Sequence, residues 1–207
     1  MKYSAIDEFA EKLQRKRNTR TVFNPYINPS AVHNLKEYLY AMYELKPDVL
    51  LVGEAPGYKG CRITGIPFSC CQLYEQIDHP FLKKLGPKLK IEADEWENTA
   101  AYVWNYLLEK ETLPLFWNSF PFHPYRKGNK MSNRAPLKSE IEEGIKYLLD
   151  LQQIFDVKIV AGLGRAGQKA ALAAFDQTGI DVPYIRHPSY GGKSDFISGM
   201  NLLLKKV

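Results

Sequence analysis

The expected fold follows from a series of four short apolar segments separated by stretches of helical character. The apolar segments are residues 48–53, 113–119, 158–161 and 182–186. Uninterrupted apolar runs of this length, bounded by proline, glycine or polar residues, are typical of strands buried on both faces. Because strands that alternate with helices form parallel sheets covered by helices, we expect an α/β protein with a four-stranded parallel sheet.

The intervals between these strands contain the predicted helices and one long loop. Ser30 is placed to cap the second helix, while Ser139 and Glu142 have the spacing of a capping box. Residues 120–138 show no periodicity and are long enough for a functional loop. Helices are predicted over residues 4–17, 31–45, 139–155 and 165–175, with mixed helical character over 71–108.

Length and composition set the expected organisation of the chain. The 207 residues suit one domain over 1–207, with residues 1–45 as an N-terminal helical extension packed on it. No apolar run approaches the ~18 residues that cross a membrane, and the charged N-terminus lacks the apolar region of a signal peptide. We therefore expect a monomeric, cytoplasmic protein without a membrane partner.

Polar motifs follow three of the four predicted strands. They are the GEAPG segment over 53–57, Asn118, and the tripeptide His187-Pro188-Ser189. Each alone has an ordinary structural explanation, but the carboxyl ends of parallel strands meet at one edge of a sheet. The motifs contain neither a cluster of metal ligands nor a nucleophile with its base. They indicate a site for recognition and charge stabilisation.

A basic segment lies in the long loop. Residues 123–138 contain five cations and no acid. The cations are Arg126, Lys127, Lys130, Arg134 and Lys138. Positive charge interleaved with aromatic rings suits nucleic-acid phosphates and unstacked bases. A merely solvated charged surface is the alternative.

Three sequence motifs together resemble those of one enzyme family. They are GEAPGYKGCRITGIPF over 53–68, the segment from Asn118 to NRAPLKSEI, and RHPSYGG over 186–192. They resemble the three motifs of the uracil-DNA glycosylase superfamily, most closely those of its bacterial and archaeal GEAPG branch. The resemblance implies a three-layer α/β/α sandwich around a four-stranded parallel sheet. It also implies a monofunctional glycosylase that hydrolyses the N-glycosidic bond of uracil in DNA during base excision repair.

The resemblance assigns roles to the residues of the motifs. It implies that Phe68 stacks on an extruded uracil, that Asn118 reads the edge of the base, and that His187 stabilises charge on the departing base. A carboxamide presents an acceptor and donors complementary to the N3 donor and O4 acceptor of uracil. Negative charge grows on the base as its bond to the sugar lengthens, so a histidine donor helps most in the transition state.

The remaining residues of the first motif concern water and base selection. Gly53 and Ala55 are assigned to the base pocket, and Ala55 stands where the best-known branch has a water-orienting aspartate. Glu54 is the only acid of the motif, so we expect it to position the water. Gly57 occupies the place of a tyrosine that excludes thymine in that branch, and Tyr58 is the candidate substitute.

The last motif and the basic segment are assigned to DNA. Ser189 is expected to contact a phosphate, while Tyr190 and the glycines after it form a tip that enters the DNA stack. Lys193 joins Arg126, Lys127 and Lys130 along the expected DNA path.

No cofactor is expected. The GEAPG branch commonly carries a four-cysteine iron-sulfur cluster, but Phe122 and Gly144 occupy the corresponding positions after Asn118, and the first 60 residues contain no cysteine. Three cysteines, two of them adjacent, also form neither a zinc motif nor a disulfide framework.

Other functions remain as alternatives. Gly162, Gly164 and Gly167 spell a dinucleotide-binding GxGxxG, but only one strand follows and it lacks the ribose-binding acid. A hydrolase using Cys61 would need a base that nothing places beside the thiol. Within the family resemblance, excision of hypoxanthine or xanthine, or DNA binding without catalysis, are the alternatives to uracil release.

Overall fold

The computed structural model describes residues 3–206, so the ends of the predicted domain, residues 1–2 and 207, lie outside the described residues. The helices are α1 (Ser4–Gln14), α2 (Pro29–Leu45), α3 (Cys61–Thr64), α4 (Leu73–Gln76), α5 (Pro80–Leu85), α6 (Asn98–Leu107), α7 (Lys138–Phe155), α8 (Gly164–Phe175) and α9 (Lys193–Leu204). The strands are β1 (Val22–Phe23), β2 (Val49–Gly53), β3 (Leu115–Asn118), β4 (His123–Pro124), β5 (Ile159–Leu163) and β6 (Tyr184–Ile185).

The chain divides into two compact units. One, called here the helical unit, comprises Met1–Leu45, Pro56–Glu109 and Phe122–Arg134. The other, the sheet unit, comprises Lys46–Ala55, Lys110–Pro121 and Ala135–Val207. The division cuts the GEAPG motif between Ala55 and Pro56.

The sheet unit is built on four parallel strands in the order β3-β2-β5-β6. All residues of β2, β3 and β5 are buried, as expected for strands covered on both faces. Helix α8 packs on β2, β5 and β6, α9 packs on β6, and α7 packs on α8. The prediction of an α/β fold around a four-stranded parallel sheet is confirmed.

The GxGxxG glycines allow helix α8 to approach the sheet closely. A Cβ on Gly167 would lie 2.0 Å from the carbonyl oxygen of Val52, and one on Gly162 would lie 2.2 Å from the Cα of Gln168. Gly164 has a φ of 72°, a conformation that favours glycine. Packing and turn geometry therefore account for all three glycines.

The helical unit contains α1 to α6 and a two-stranded antiparallel pair. In this pair β1 runs antiparallel to β4, so that Val22 lies opposite Pro124 and Phe23 lies opposite His123. Helix α2 contacts α1, α3 and α5, burying apolar residues such as Leu35 and Leu39. No helix over residues 3–206 has the length and apolar character required to span a membrane.

Two helix starts differ from the prediction. Asn28, not Ser30, caps α2, because its side-chain oxygen accepts the Ser30 N–H at 2.9 Å and Pro29 is already helical. At α7, the carboxylate of Glu140 accepts the N–H of Leu137 at 2.8 Å, so the predicted Ser139 and Glu142 capping box is wrong. Helix α9 and the strand pair are further elements that the sequence patterns did not predict.

Candidate active site

The ends of β2 and β3 bring the first two motifs together in the sheet unit. Gly53 and Asn118 are register partners on these neighbouring strands. Beyond them, the Ser119 N–H donates to the carbonyl of Gly53 at 2.8 Å, and the Ser119 hydroxyl donates to that of Glu54 at 2.5 Å. The Phe120 N–H also donates to the Glu54 carbonyl, at 3.2 Å. These bonds hold the backbone around Glu54 against the chain that follows Asn118.

Asn118 is buried with an unused carboxamide. The residue is only 5% exposed. Its backbone belongs to β3, whereas its side-chain amide makes no hydrogen bond to any residue in the range 3–206. A carboxamide offers two N–H donors and a carbonyl acceptor, and buried polar groups are normally paired. The side chain is therefore held ready to pair with a ligand.

His187 lies beyond β6, and its ring accepts a backbone hydrogen bond. The Ser189 N–H donates to Nδ1 of His187 at 3.2 Å. In a neutral imidazole this bond places the ring proton on Nε2, which becomes a donor. Gly164, at the start of α8, lies against the same residue, because a Cβ there would be 3.4 Å from the His187 Cβ. The positive end of the α8 dipole thus lies beside His187.

Glu54 supplies a carboxylate at this edge of the sheet. The side chain is exposed and forms no hydrogen bond or ion pair within the described part of the chain. Partial desolvation nevertheless raises the pKa of Glu54 above its ordinary value. A raised pKa makes the carboxylate a better proton acceptor than a freely solvated one. Ala55, half-buried, follows it.

The loop after His187 presents an aromatic tip. Arg186 donates from Nη1 to the carbonyl of His187 at 3.1 Å and from Nη2 to that of Tyr190 at 3.4 Å. Gly192 closes the loop, since a Cβ there would lie 2.2 Å from the His187 carbonyl oxygen. Tyr190 itself is 98% exposed and has a φ of 54°, which is strained for a tyrosine.

The other predicted DNA residues of this motif lie close to the tip in sequence. Ser189 is half-buried, and its carbonyl accepts the N–H of Gly192 at 3.2 Å. Lys193 is exposed and is the first residue of α9. The sheet unit thus carries eight of the predicted site residues. They are Gly53, Glu54, Ala55, Asn118, His187, Ser189, Tyr190 and Lys193.

Phe68 belongs to the helical unit, in a tightly bonded turn. Its φ is 53°, and its carbonyl accepts the indole N–H of Trp104 at 3.0 Å. The preceding Gly65 has a φ of 78°, and a Cβ there would lie 2.3 Å from the carbonyl oxygen of Ala31. The Thr64 and Ser69 hydroxyls, 2.7 Å apart, tie the two ends of the turn. The ring is therefore carried on a rigid, locally strained backbone.

Residues 126–132, called here the basic turn, also belong to the helical unit. The Asn129 N–H donates to the Arg126 carbonyl at 2.9 Å, with Gly128 between them at a φ of 84°. The Ser132 hydroxyl accepts the Arg126 N–H at 3.0 Å and donates to the Asn129 carbonyl at 2.6 Å. The turn therefore has a defined shape despite its exposure.

The cations of the predicted DNA path divide into two groups. Those of the basic turn are exposed, and over residues 3–206 none has a carboxylate partner. They are Arg126, Lys127 and Lys130. Arg134 instead donates to the carbonyls of Tyr125 at 3.3 Å and Thr21 at 3.2 Å. Its guanidinium therefore supports the loop.

His123 is a buried residue that sequence reasoning missed. It is fully buried, with Nδ1 2.7 Å from the carbonyl oxygen of Pro56 and Nε2 3.3 Å from that of Lys130. Burial lowers the pKa of His123, and the nearby Arg62 and Arg134 charges add to this effect. The ring links the GEAPG segment to the basic turn. A lone histidine has no sequence signal for such a role.

The cysteines do not provide a nucleophile. All three are buried and unpaired by disulfides. Burial raises the pKa of the Cys61 thiol to about 12, which leaves negligible thiolate at neutral pH. Phe122 and Gly144, at the positions expected for iron-sulfur ligands, carry no ligating atom, so the residues do not fit that cluster. Across the described chain, no three His, Cys, Asp or Glu residues cluster to hold a metal.

Comparison with known structures identifies the class. The crystal structure of WT Pedobacter heparinus SMUG2 is similar to this chain, with a TM-score of 0.68 and 14% sequence identity over 98% of this chain and 97% of that one. At this identity the likeness establishes the fold, an α/β fold with a parallel sheet.

A sequence profile then identifies the family. The profile of the Uracil DNA glycosylase superfamily matches residues 41–196. The chain belongs to this superfamily and is, by that membership, a DNA glycosylase that hydrolyses N-glycosidic bonds. Among curated proteins, no sequence matches it.

Proposed function

We propose that this glycosylase excises uracil from DNA and leaves an abasic site. The observation that carries the proposal is the Asn118 carboxamide, which is 95% buried at the end of β3 without a hydrogen-bond partner in the described chain. The residue is largely buried, but neither amide atom is fully enclosed, so the edge of an extruded base can reach them. A base with a matching donor and acceptor would pair with both groups of the amide.

Uracil matches the amide better than cytosine does. Uracil presents the N3 donor beside the O4 acceptor, so the Asn118 oxygen accepts from N3 and its nitrogen donates to O4. Cytosine reverses both groups and would leave each bond unmade. Gly53, the register partner of Asn118, and Ala55 line the proposed base pocket without adding a side chain that competes for the edge.

His187 is the proposed stabiliser of the leaving group. As the bond between C1′ and N1 breaks, its electron pair passes to the base, and charge develops on uracil O2. In the neutral imidazole the Ser189 N–H occupies Nδ1, so the ring proton that His187 would donate is on Nε2. The α8 N-terminus beside the ring further favours negative charge.

Glu54 is the proposed acceptor for the attacking water. The water oxygen bonds to C1′ as N1 departs, and one water proton must be removed. The raised pKa of Glu54 and its lack of a bonded partner among residues 3–206 support this role. Ser119 fixes the Glu54 backbone and thereby the direction of the side chain.

DNA is held by the exposed cations and the aromatic tip. Tyr190, almost fully exposed in a strained conformation, is proposed to fill the space left by the extruded base. Ser189, Lys193 and the basic turn are proposed to contact phosphates. Phe68 is proposed as the stacking surface for the base, because a rigid aromatic ring suits a flat π-face.

Other deaminated bases form the second candidate substrate class. Gly57 leaves space where a Cβ would meet only the Asn133 amide nitrogen, at 3.8 Å. The bulk that excludes thymine in the best-known branch is therefore missing at this position. Hypoxanthine, xanthine and thymine accordingly belong in the substrate test.

The test is single-turnover cleavage of matched oligonucleotides carrying one uracil, hypoxanthine, xanthine, thymine or cytosine, with abasic sites cleaved by alkali. Asn118→Asp should reduce uracil release by ~10² or more, since a carboxylate faces uracil O4 with repulsion. The exposed Asn98 provides the matched control, because Asn98→Asp makes the same chemical change outside the site. A folded Asn118→Asp protein with wild-type uracil activity would refute the proposal.

A further inference from the structure

Arg62 has a buried guanidinium nitrogen without a partner. It lies on α3, where Nε is buried and makes no hydrogen bond to residues 3–206. Nη1 donates only to the sulfur of Met131, at 3.6 Å. The guanidinium carbon lies 5.0 Å from the centre of the Phe23 ring. Within the described chain Arg62 forms no ion pair.

This arrangement is unusual for a structural arginine. A guanidinium has five N–H donors, and a thioether sulfur is a weak acceptor. The buried Nε–H in particular is unfavourable unless a ligand completes its hydrogen bond. Stacking on Phe23 restricts the guanidinium plane before a ligand arrives, which reduces the entropy lost on binding.

The side chain that Arg62 contacts belongs to a segment whose charges are all positive. Met131, its contact, belongs to the basic turn with the unpaired cations Arg126, Lys127 and Lys130. No acidic residue occurs between 122 and 134. The charge of Arg62 also reaches His123, where it helps to disfavour a second cation. The unsatisfied donors therefore lie next to a segment of uncompensated positive charge, which favours an anion there.

We propose that Arg62 binds a phosphate of the DNA backbone, next to phosphates bound by the basic turn. Two phosphate oxygens accept from the guanidinium in place of the Met131 sulfur. The inference rests on the proposed function only in taking DNA as the ligand. Arg62, whose guanidinium is held against Phe23, would set the register of the DNA backbone, whereas the exposed lysines of the basic turn would not.

The first test measures affinity for uracil-free duplex DNA against salt. Arg62→Met keeps an apolar side chain on Phe23 and removes the charge, so the slope of log K against log salt should fall by ~0.9 and affinity on the order of tenfold. Arg62→Lys should keep the slope but bind more weakly. Arg15→Met is the control, because Arg15 is exposed and no described residue pairs with it. An unchanged slope in Arg62→Met overturns the inference, as does an equal loss in Arg15→Met.

A second test is made on the wild-type protein and therefore holds even if Arg62→Met fails to fold. The Nε–H resonance of Arg62, assigned with Arg62→Lys, is followed in the wild-type protein during titration with the duplex or with inorganic phosphate. The resonance should shift with DNA at concentrations where phosphate has no effect. An equal response to phosphate assigns the site to free anions and overturns the inference. Because the duplex contains no uracil, a protein that binds it but releases no uracil refutes only the proposed function.

Discussion

Replacing Gly144 by alanine should lower both stability and activity, because this glycine lets α7 touch the chain just after Asn118. A Cβ at Gly144 would lie 1.7 Å from the carbonyl oxygen of Ser119 and 2.9 Å from its carbon. Both atoms belong to backbone, so no side-chain rotation relieves the clash. The helix or the strand end must move.

The size of the effect follows from two opposing contributions. Real Cβ contacts stay beyond 3.0 Å, so the carbonyl and the helix must separate by about 1.3 Å. Such overpacking costs ~1–3 kcal/mol. Alanine regains up to ~1 kcal/mol of helix propensity inside α7. We expect a net loss of ~1–2 kcal/mol in the free energy of unfolding.

Activity should fall further than stability alone predicts. Ser119 directly follows Asn118 and donates to the Glu54 carbonyl, so its displacement shifts both proposed site residues. A misplacement of ~1 Å can reduce a rate by ~10². The assays are urea unfolding and single-turnover uracil release under conditions where the variant remains folded.

Gly199→Ala is the matched control in another helix. A Cβ at Gly199 would meet only the end of the Ile185 side chain, at 3.3 Å, apart from atoms at 3.6 Å or more. Because that side chain can adjust, α9 should gain up to ~1 kcal/mol from propensity, and activity should persist. Wild-type stability in Gly144→Ala would refute the packing argument. Destabilisation with full activity would refute the link to Asn118.

Three further predictions concern the proposed catalytic histidine, the aromatic tip and the buried His123. His187→Ala should lower the single-turnover rate by ~10² or more with a smaller change in DNA affinity, because the His187 donor acts mainly in the transition state. A large loss of affinity with a normal rate would instead make His187 a binding residue. Tyr190→Gly should stabilise the fold by up to ~1 kcal/mol, because glycine adopts a positive φ without strain, yet it should reduce uracil release from duplex DNA. Unchanged cleavage would show that the aromatic tip has no part in uracil release. Burial lowers the pKa of His123 below 6.5, so its contribution to stability is present above that pH and is lost as the pH falls through the folded pKa. The free energy of unfolding of His123→Gln, measured from pH 7 downward, should not show this loss. Parallel pH profiles of the two proteins would contradict the assignment.

Several features of the fold were predictable because their signals are local. The segment 48–53 reads as a buried strand from its continuous apolar run, and it forms β2 over Val49–Gly53. The helix over 139–155 was predicted nearly to its observed bounds, Lys138–Phe155, although the wrong residues were assigned to its cap. Caps were harder to predict because several polar residues near each helix start can accept the same N–H groups.

Candidate site residues could be predicted only where they follow a strand. Parallel strands end at one edge, so Gly53, Asn118 and His187 were expected together from chain order alone. Their state was not predictable. That Asn118 is buried with an unused amide, and that Nδ1 of His187 is occupied, depends on neighbours brought close by folding.

The fold class, the sheet edge of the proposed site and the family can be inferred from the sequence, because apolar runs and motifs are read along the chain. Which distant groups meet depends on the tertiary structure. His123 bonds to the carbonyl of Pro56, 67 residues away, and Arg62 reaches Met131, 69 residues away. Such contacts depend on packing between segments whose local patterns carry no information about their partner, so a lone histidine or arginine acquires its role only in the folded chain.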